Sequence, residues 1–225
     1  MLELRLVYGY YPEVVCSIGQ EEKILKLTAS SYLYKDLLRL ENIKRSELLE
    51  KILQALALQV GNEVSYNELA QLCGTNNKTV ERYIDVLEKA YIIFKLPALS
   101  RNVRNEIKKK KKIYFWDNGI RNAIIGNYNS ALALRTDIGA LWENFLISER
   151  MKIHHYKQSN VKCYFWRTKQ QQEIDFIEEK NEGFSAFEFK WNKKAKARLP
   201  KTFLDKYQVN QFQTITPKNV SDFLL

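Results

Sequence analysis

Two strings near the C-terminus restrict the fold more than anything else in the chain. Residues 173–179 read EIDFIEE and residues 184–191 read FSAFEFKW, with Lys180-Asn181-Glu182-Gly183 between them. Both strings are rich in strand-forming residues, and the connection carries turn residues with a closing glycine, so the segment reads as a β-hairpin. A loop with an even number of residues, centred on Asn181 and Glu182, sets Lys180 opposite Gly183 and Asp175 opposite Glu188. Opposed residues share a face, and so do residues two apart on one strand. This register gathers Asp175, Glu188 and Lys190 on one side and assigns Ile174, Ile177, Phe187 and Phe189 to an opposite, apolar face. An odd loop would separate the three charged residues, because a slip of one residue reverses the face.

Two carboxylates and a lysine on one patch of sheet suit a magnesium ion held against a phosphodiester. Mg²⁺ takes oxygen ligands, keeps several waters and often uses only one or two carboxylates beside substrate phosphate. An ion there can generate hydroxide and offset charge growing on phosphorus. Lys190 would orient the attacking water or stabilise the transition state. The same residues also suit the solvated face of an ordinary hairpin.

The chain is 225 residues long, enough for one large domain or two small ones, and 45% of it is hydrophobic. With 8 Gly and 4 Pro there is little material for long disordered linkers. A formal net charge of +10 favours a polyanionic partner, nucleic acid before membrane surface. Cys16, Cys73 and Cys163 stand far apart and read as free thiols of a reducing, cytoplasmic compartment. His154 and His155 are adjacent and no Cys lies at ligand spacing from them, which argues against zinc. No signal peptide is evident, and no apolar run approaches the roughly 18 residues of a membrane span.

Residues 21–40 read as a helix, and residues 46–60 as a strongly amphipathic one with Ser46 at its N-cap. Ser65-Tyr66-Asn67-Glu68 is a capping-box signature for a short helix that ends at Gly74. Thr75 is then expected to cap a longer helix from about Asn76 to Lys89. Two helices joined by a tight Gly-containing turn make a helix-turn-helix. The start of the second presents Asn76, Asn77, Lys78, Thr79 and Arg82, residue types that contact bases or phosphates. Residues 91–94 and 113–116 read as strands of a hairpin wing, with Arg101, Arg104, Lys108, Lys109, Lys110, Lys111 and Lys112 at its basic tip. Such a module equally often packs against protein, and a lysine run is often a solvated loop tip.

In the C-terminal half Asp137 is expected to cap a helix to about Met151, with Ile138, Leu141, Trp142, Phe145 and Leu146 as its buried stripe and Glu143 on the flank. A strand over 161–167, the hairpin, a helix near Leu199 to Tyr207 and a strand over 212–215 complete an α/β pattern.

Several of these strings carry a family resemblance. Gly139-Ala-Leu-Trp-Glu143, Phe165-Trp166-Arg167, Glu173-Ile-Asp175-Phe176 and Glu188-Phe-Lys190 resemble the PD-(D/E)xK nuclease-like fold. Nearly end to end, the chain is similar to the C-terminal region of a family of prokaryotic AAA-superfamily ATPases. Residues 8–14 (YGYYPEV) look like the segment after the ATPase core, and residues 113–119 (IYFWDNG) resemble a string between the later modules. The resemblance implies an α+β or α/β chain in three parts. Residues 1–40 would follow an absent ATPase core, 41–120 would be a winged-helix domain, and 121–225 a PD-(D/E)xK nuclease-like mixed-sheet domain. It implies Glu143, Asp175, Glu188 and Lys190 as the active site, with Asp175 and Glu188 as Mg or Mn ligands and Glu143 as a ligand or water-positioning base. Two departures stand out: Ile174, not proline, precedes Asp175, and no GxxxxGK[ST] occurs, so ATP would enter only through an upstream domain.

Three functions follow as expectations. The first is the DNA-binding, nuclease-like portion of such an ATPase. The second keeps the fold as a catalytically silent DNA- or protein-docking module that regulates the ATPase. The third is a winged-helix regulator whose C-terminal half mediates assembly.

Overall fold

A computed structural model describes residues 1–33, 46–100, 111–181 and 183–225. The fold is mixed α+β, and the strands among these residues form two sheets. The chain divides into two compact units: Met1–Lys95 with Ile113–Thr136, and Leu96–Lys112 with Asp137–Leu225. Residues 1–33 fall within the first of these units.

The reason lies in a buried polar seam. Helix α1 (Leu2–Tyr8) packs on α7 (Asn118–Ile125). Asp117 caps α7 by accepting from the Ile120 N–H at 3.1 Å, and its other oxygen accepts from the Tyr10 N–H at 2.7 Å. The last-turn carbonyls of a helix lack partners within it. Here Asn118 and Asn122 donate to Leu6 O and Val7 O, at 3.0 and 2.8 Å. Arg121 donates to Ala57 O at 2.8 Å, near the end of α4 (Ser46–Leu58). One short string, 117–122, thus fastens two distant helices. Gly9 adopts φ 70°, and a Cβ on Gly119 would run into the Tyr8 carbonyl.

The remainder of the first unit follows the pattern of its caps and apolar stripes. Between α1 and α4 lie α2 (Pro12–Cys16) and α3 (Glu21–Leu27), the latter continuing into a π-helical turn over Thr28–Leu33. In α4, Leu48, Leu49, Ile52, Leu53 and Leu56 face the core. After β1 (Glu63–Val64), Ser65 caps α5 (Tyr66–Leu72), and Gly74 turns the chain at φ 65°. The cap of α6 (Asn77–Lys89) is Asn76, not Thr75, because the Thr75 N–H bonds back to Ala70 O at 2.8 Å and closes the preceding helix. Strand β2 (Ile93–Leu96) starts later than expected, since Tyr91 holds a turn conformation at φ 55°. With β3 (Lys111–Phe115) it forms a sheet of order β1-β3-β2. Arg101, Arg104, Lys108, Lys109 and Lys110 lie outside the described residues.

The second unit is built on the strand order β4-β5-β6-β7, with β4 (Lys162–Arg167), β5 (Glu173–Lys180), β6 (Gly183–Phe189) and β7 (Val209–Ile215). The first three are antiparallel, and β7 lies parallel to β6 after a crossover through α9 (Lys201–Leu204). Trp166, Ile174, Ile177, Ala186 and Phe203 pack on one face. On the other, Phe176, Phe187 and Phe189 surround Phe223 of α10 (Val220–Leu224), which packs with the long helix α8 (Ile138–Tyr156). The expected single apolar face is therefore split. Ile177 opposes Ala186 while its neighbour Phe176 opposes Phe187, so Ile177 and Phe187 point opposite ways. Ile174 joins Ile177 because β5 carries one extra residue between them: Trp166 pairs with Ile174 but Tyr164 with Ile177.

A second fastening joins α8, β5 and α10. Arg150 donates to both oxygens of Glu178, at 2.6 and 3.0 Å, and to Phe223 O at 2.6 Å. Burial pushes the Glu178 carboxyl up, but hydrogen bonds from His154 and Arg150 outweigh it and hold the group below its usual range. All three cysteines are free thiols, and among the described residues no helix is long and apolar enough to cross a membrane.

Two glycines give opposite expectations. Gly119→Ala should destabilise the chain by about 1–3 kcal/mol in urea unfolding, because the added methyl meets fixed backbone. Gly139→Ala, in α8 with open space around it, should be neutral or stabilise by up to about 1 kcal/mol.

Candidate functional site

The hairpin places three of the expected site residues together. Lys180 pairs with Gly183 across a two-residue loop, and Asn181 adopts φ 48° there. The same register runs to Phe176 opposite Phe187, which brings Asp175 beside the Glu188 end of β6. Asp175 lies within the bulged stretch of β5, and its Oδ2 accepts the Phe189 N–H at 2.8 Å. Lys190 follows the last residue of β6, with Nζ 2.8 Å from Glu188 Oε2 and 3.8 Å from Asp175 Oδ2. Asp175 and Glu188 are buried, whereas the Lys190 side chain is 41% exposed.

Burial and the neighbouring Asp175 push Glu188 up to about 7, against the opposing pull of Lys190. Lys190 is itself held above its usual range: burial would lower it, but Asp175 and Glu188 outweigh that. One ammonium thus serves two desolvated carboxylates, and the pair remains short of positive charge.

Glu143 is placed differently. It projects from α8 onto the buried ammonium of Lys112, 3.0 Å away, and Lys112 also meets Glu173 at 2.6 Å. The expected set Glu143, Asp175 and Glu188 is therefore divided between two lysines. Among the described residues no group of three or more His, Cys, Asp and Glu side chains is arranged to hold a metal ion. Lys112 is also a correction to the expected basic tip. With its side chain 2% exposed and its charge engaged by two carboxylates, it does not face a nucleic acid. Burial would lower its pKa, but Glu143 and Glu173 raise it further, so the ammonium stays charged. The pairing of Lys112 and Glu173 escaped sequence reading. The available signal was the apolar run 113–115, which Lys112 enters directly.

On the first unit, Asn76, Asn77, Lys78 and Arg82 are exposed and Thr79 partly so; Lys111, of the second unit, is half-buried. A cleft of about 560 Å³ opens between α5 and the start of α6. Asn76 spends its side chain on the cap, accepting from the Thr79 N–H at 2.9 Å, and Asn77 bonds to Asn67. Lys78 and Arg82 are the cations this helix start presents.

The Glu188 carboxyl makes stability pH-dependent in a definite direction. Its folded pKa lies above the unfolded value, so both states are protonated below about 4.5 and the folded state is penalised as pH rises through about 7. Glu188→Gln should therefore gain stability over wild type on going from pH 5 to pH 8, on the order of 1–3 kcal/mol, read by urea unfolding at both pH values.

Comparison with known proteins gives families without an assigned activity. The domain of unknown function DUF8612 matches residues 1–131, and the domain of unknown function DUF4143 matches residues 138–221. An uncharacterized protein of Mycobacterium tuberculosis is 26% identical over 72% of this chain and 36% of its own length. One from Haemophilus influenzae is 26% identical over 58% of this chain and 34% of its own. One from Methanocaldococcus jannaschii is 25% identical over 76% and 37%. The chain thus spans little more than a third of the length of the curated relatives it matches. No solved structure matches it. With that match over more than half its length, the chain belongs to the DUF8612 family, and it continues into a region similar to DUF4143.

Proposed function

We propose that this chain is the DNA-binding, nuclease-like portion of an AAA-type ATPase, with Asp175, Glu188 and Lys190 as a Mg²⁺- or Mn²⁺-dependent phosphodiesterase site. The observation that carries this reading is the pair of buried carboxylates sharing a single, half-exposed ammonium. Such a pair gains from a divalent cation, and two carboxylates fit the ligand habit of Mg²⁺, which fills its remaining positions with water and phosphate. A bound ion would lower the pKa of water and neutralise charge on the phosphoryl oxygens. Within that site Asp175 is held by the Phe189 N–H and Glu188 by Lys190, so both present fixed oxygens. Lys190 can turn toward the scissile phosphate, where an ammonium stabilises developing negative charge. An upstream ATPase domain is supported by the DUF4143 match, a family associated with the C-termini of AAA ATPases, and by the greater length of the relatives. For DNA, the order α4, β1, α5, α6, β2, β3 with sheet order β1-β3-β2 supports a winged-helix reading. Lys78 and Arg82 at the start of α6 supply phosphate contacts.

One observation favours the silent docking module as a second reading. Glu143 is engaged by Lys112, which leaves the carboxylate pair without a third acidic ligand among the described residues.

Incubation with supercoiled plasmid and single-stranded DNA plus Mn²⁺ separates the two. Wild type should nick or degrade DNA, and Lys190→Ala should be slower by about a hundredfold or more. Cleavage by neither protein, or equally by both, sinks the enzymatic reading. For binding, Lys78→Gln with Arg82→Gln should flatten the slope of log affinity against log salt by about 0.9 per lost phosphate contact. An unchanged slope would assign this face to protein instead.

A further inference from the structure

The stretch that follows β6 carries positive charge that no carboxylate answers. Residues 190–204 hold Lys190, Lys193, Lys194, Lys196, Arg198 and Lys201 and no Asp or Glu. Lys190 meets Glu188 at 2.8 Å. The other five are exposed, and among the described residues no ion pair engages them. The backbone beneath them is tied down at intervals. Trp191 meets Trp142 of α8 edge-on, with ring centroids 5.5 Å apart. Asn192 closes a turn: its side chain accepts from the Lys194 N–H at 3.0 Å, and its carbonyl from the Ala195 N–H at 3.0 Å. The Ala197 N–H donates to Thr214 Oγ1 of β7 at 3.0 Å, and Leu199 packs against the core cluster that holds Phe203. Pro200 biases Leu199 toward an extended backbone. Ala195, Ala197 and Leu199 are half-buried, while Lys194, Lys196 and Arg198 are exposed, the two-residue period of an extended strip with its charges on one side.

We propose that residues 193–201 form a binding strip for the sugar-phosphate backbone of DNA, which gives the second unit a DNA contact of its own, apart from Lys78 and Arg82. The inference rests on the DNA reading above and needs no metal. Lysine ammonium groups meet phosphate as point charges, and the Arg198 guanidinium can bind two phosphate oxygens at once. A row of cations on an anchored backbone displaces counterions from a polyanion without first having to order a loop. With four lysines and one arginine outward, the strip suits phosphate contact more than base readout. It suits a polynucleotide more than a lipid surface, because Ala195, Ala197 and Leu199 turn toward the protein and leave no apolar side chains to enter a bilayer.

Binding of a fluorescein-labelled DNA duplex by the intact chain, followed by anisotropy from about 50 to 200 mM salt, tests this. Lys194→Gln with Lys196→Gln and Arg198→Gln should weaken binding at least about tenfold at the lowest salt. The same variant should flatten the slope of log affinity against log salt by about 2–3, since each lost phosphate contact removes about 0.9. Lys157, Lys162 and Lys180, exposed elsewhere on the unit, provide a charge-matched control. Their replacement by Gln should change the slope by less than about 1. An unchanged slope in the strip variant, or an equal change in the control, overturns the strip, while binding by wild type leaves the DNA reading standing. If wild type binds no duplex, the DNA reading and this inference fall together. Strip-dependent binding to phosphatidylserine vesicles that is tighter than to duplex at equal phosphate concentration overturns the assignment to DNA.

Discussion

The second unit turns on the burial of carboxylates. Asp175, Glu178 and Glu188 are each buried, and a carboxylate removed from water without a partner costs several kcal/mol. The fold answers each one from a different element. Glu178 takes Arg150 and His154 from α8. Asp175 takes a backbone N–H from β6. Glu188 takes Lys190. Half-buried Glu143 and Glu173 share Lys112. Glu178 comes out with a lowered pKa and Glu188 with a raised one. That contrast separates structure from site: the Glu178 cluster is saturated with donors and fastens the helices, whereas the pair at Glu188 is undersupplied.

The first unit reaches the same end chiefly through amide side chains and backbone groups. Its seam over 117–122 uses amides, one aspartate and one arginine to cap helix ends that come together from far apart in the chain. Caps and carbonyls satisfied in this way are individually worth about 1 kcal/mol, but each would cost more if buried unmet. Gly119 belongs to the seam because only a residue without Cβ lets α7 approach the Tyr8 carbonyl.

The sequence made local features legible and hid those that depend on distant partners. The hairpin register could be read because a two-residue loop and strand alternation fix it together. The cap of α5 was visible in Ser65, whereas the helix that Asp117 caps was not read from its string. The cap of α6 was misplaced by one residue because Thr75 and Asn76 are both capping types, and only the backbone bond from Thr75 to Ala70 distinguishes them. The bulge in β5 has no composition of its own, so Ile174 was assigned the wrong neighbours, whereas the place of Ile177 beside Ala186 follows from strand alternation alone. Lys112 was concealed by the lysines before it. Its burial follows from Glu143 and Glu173, which lie 31 and 61 positions away, beyond any local pattern.

The central claim is that the Asp175–Glu188–Lys190 cluster is short of positive charge and gains from a divalent cation. Carboxyl carbon NMR of the chain labelled at glutamate, titrated with and without saturating Mg²⁺, tests this most directly. The account predicts that Glu188 titrates near 7 in metal-free buffer and falls into or below the ordinary carboxylate range when Mg²⁺ is present. A Glu188 resonance that titrates at the same pH in both conditions would contradict it.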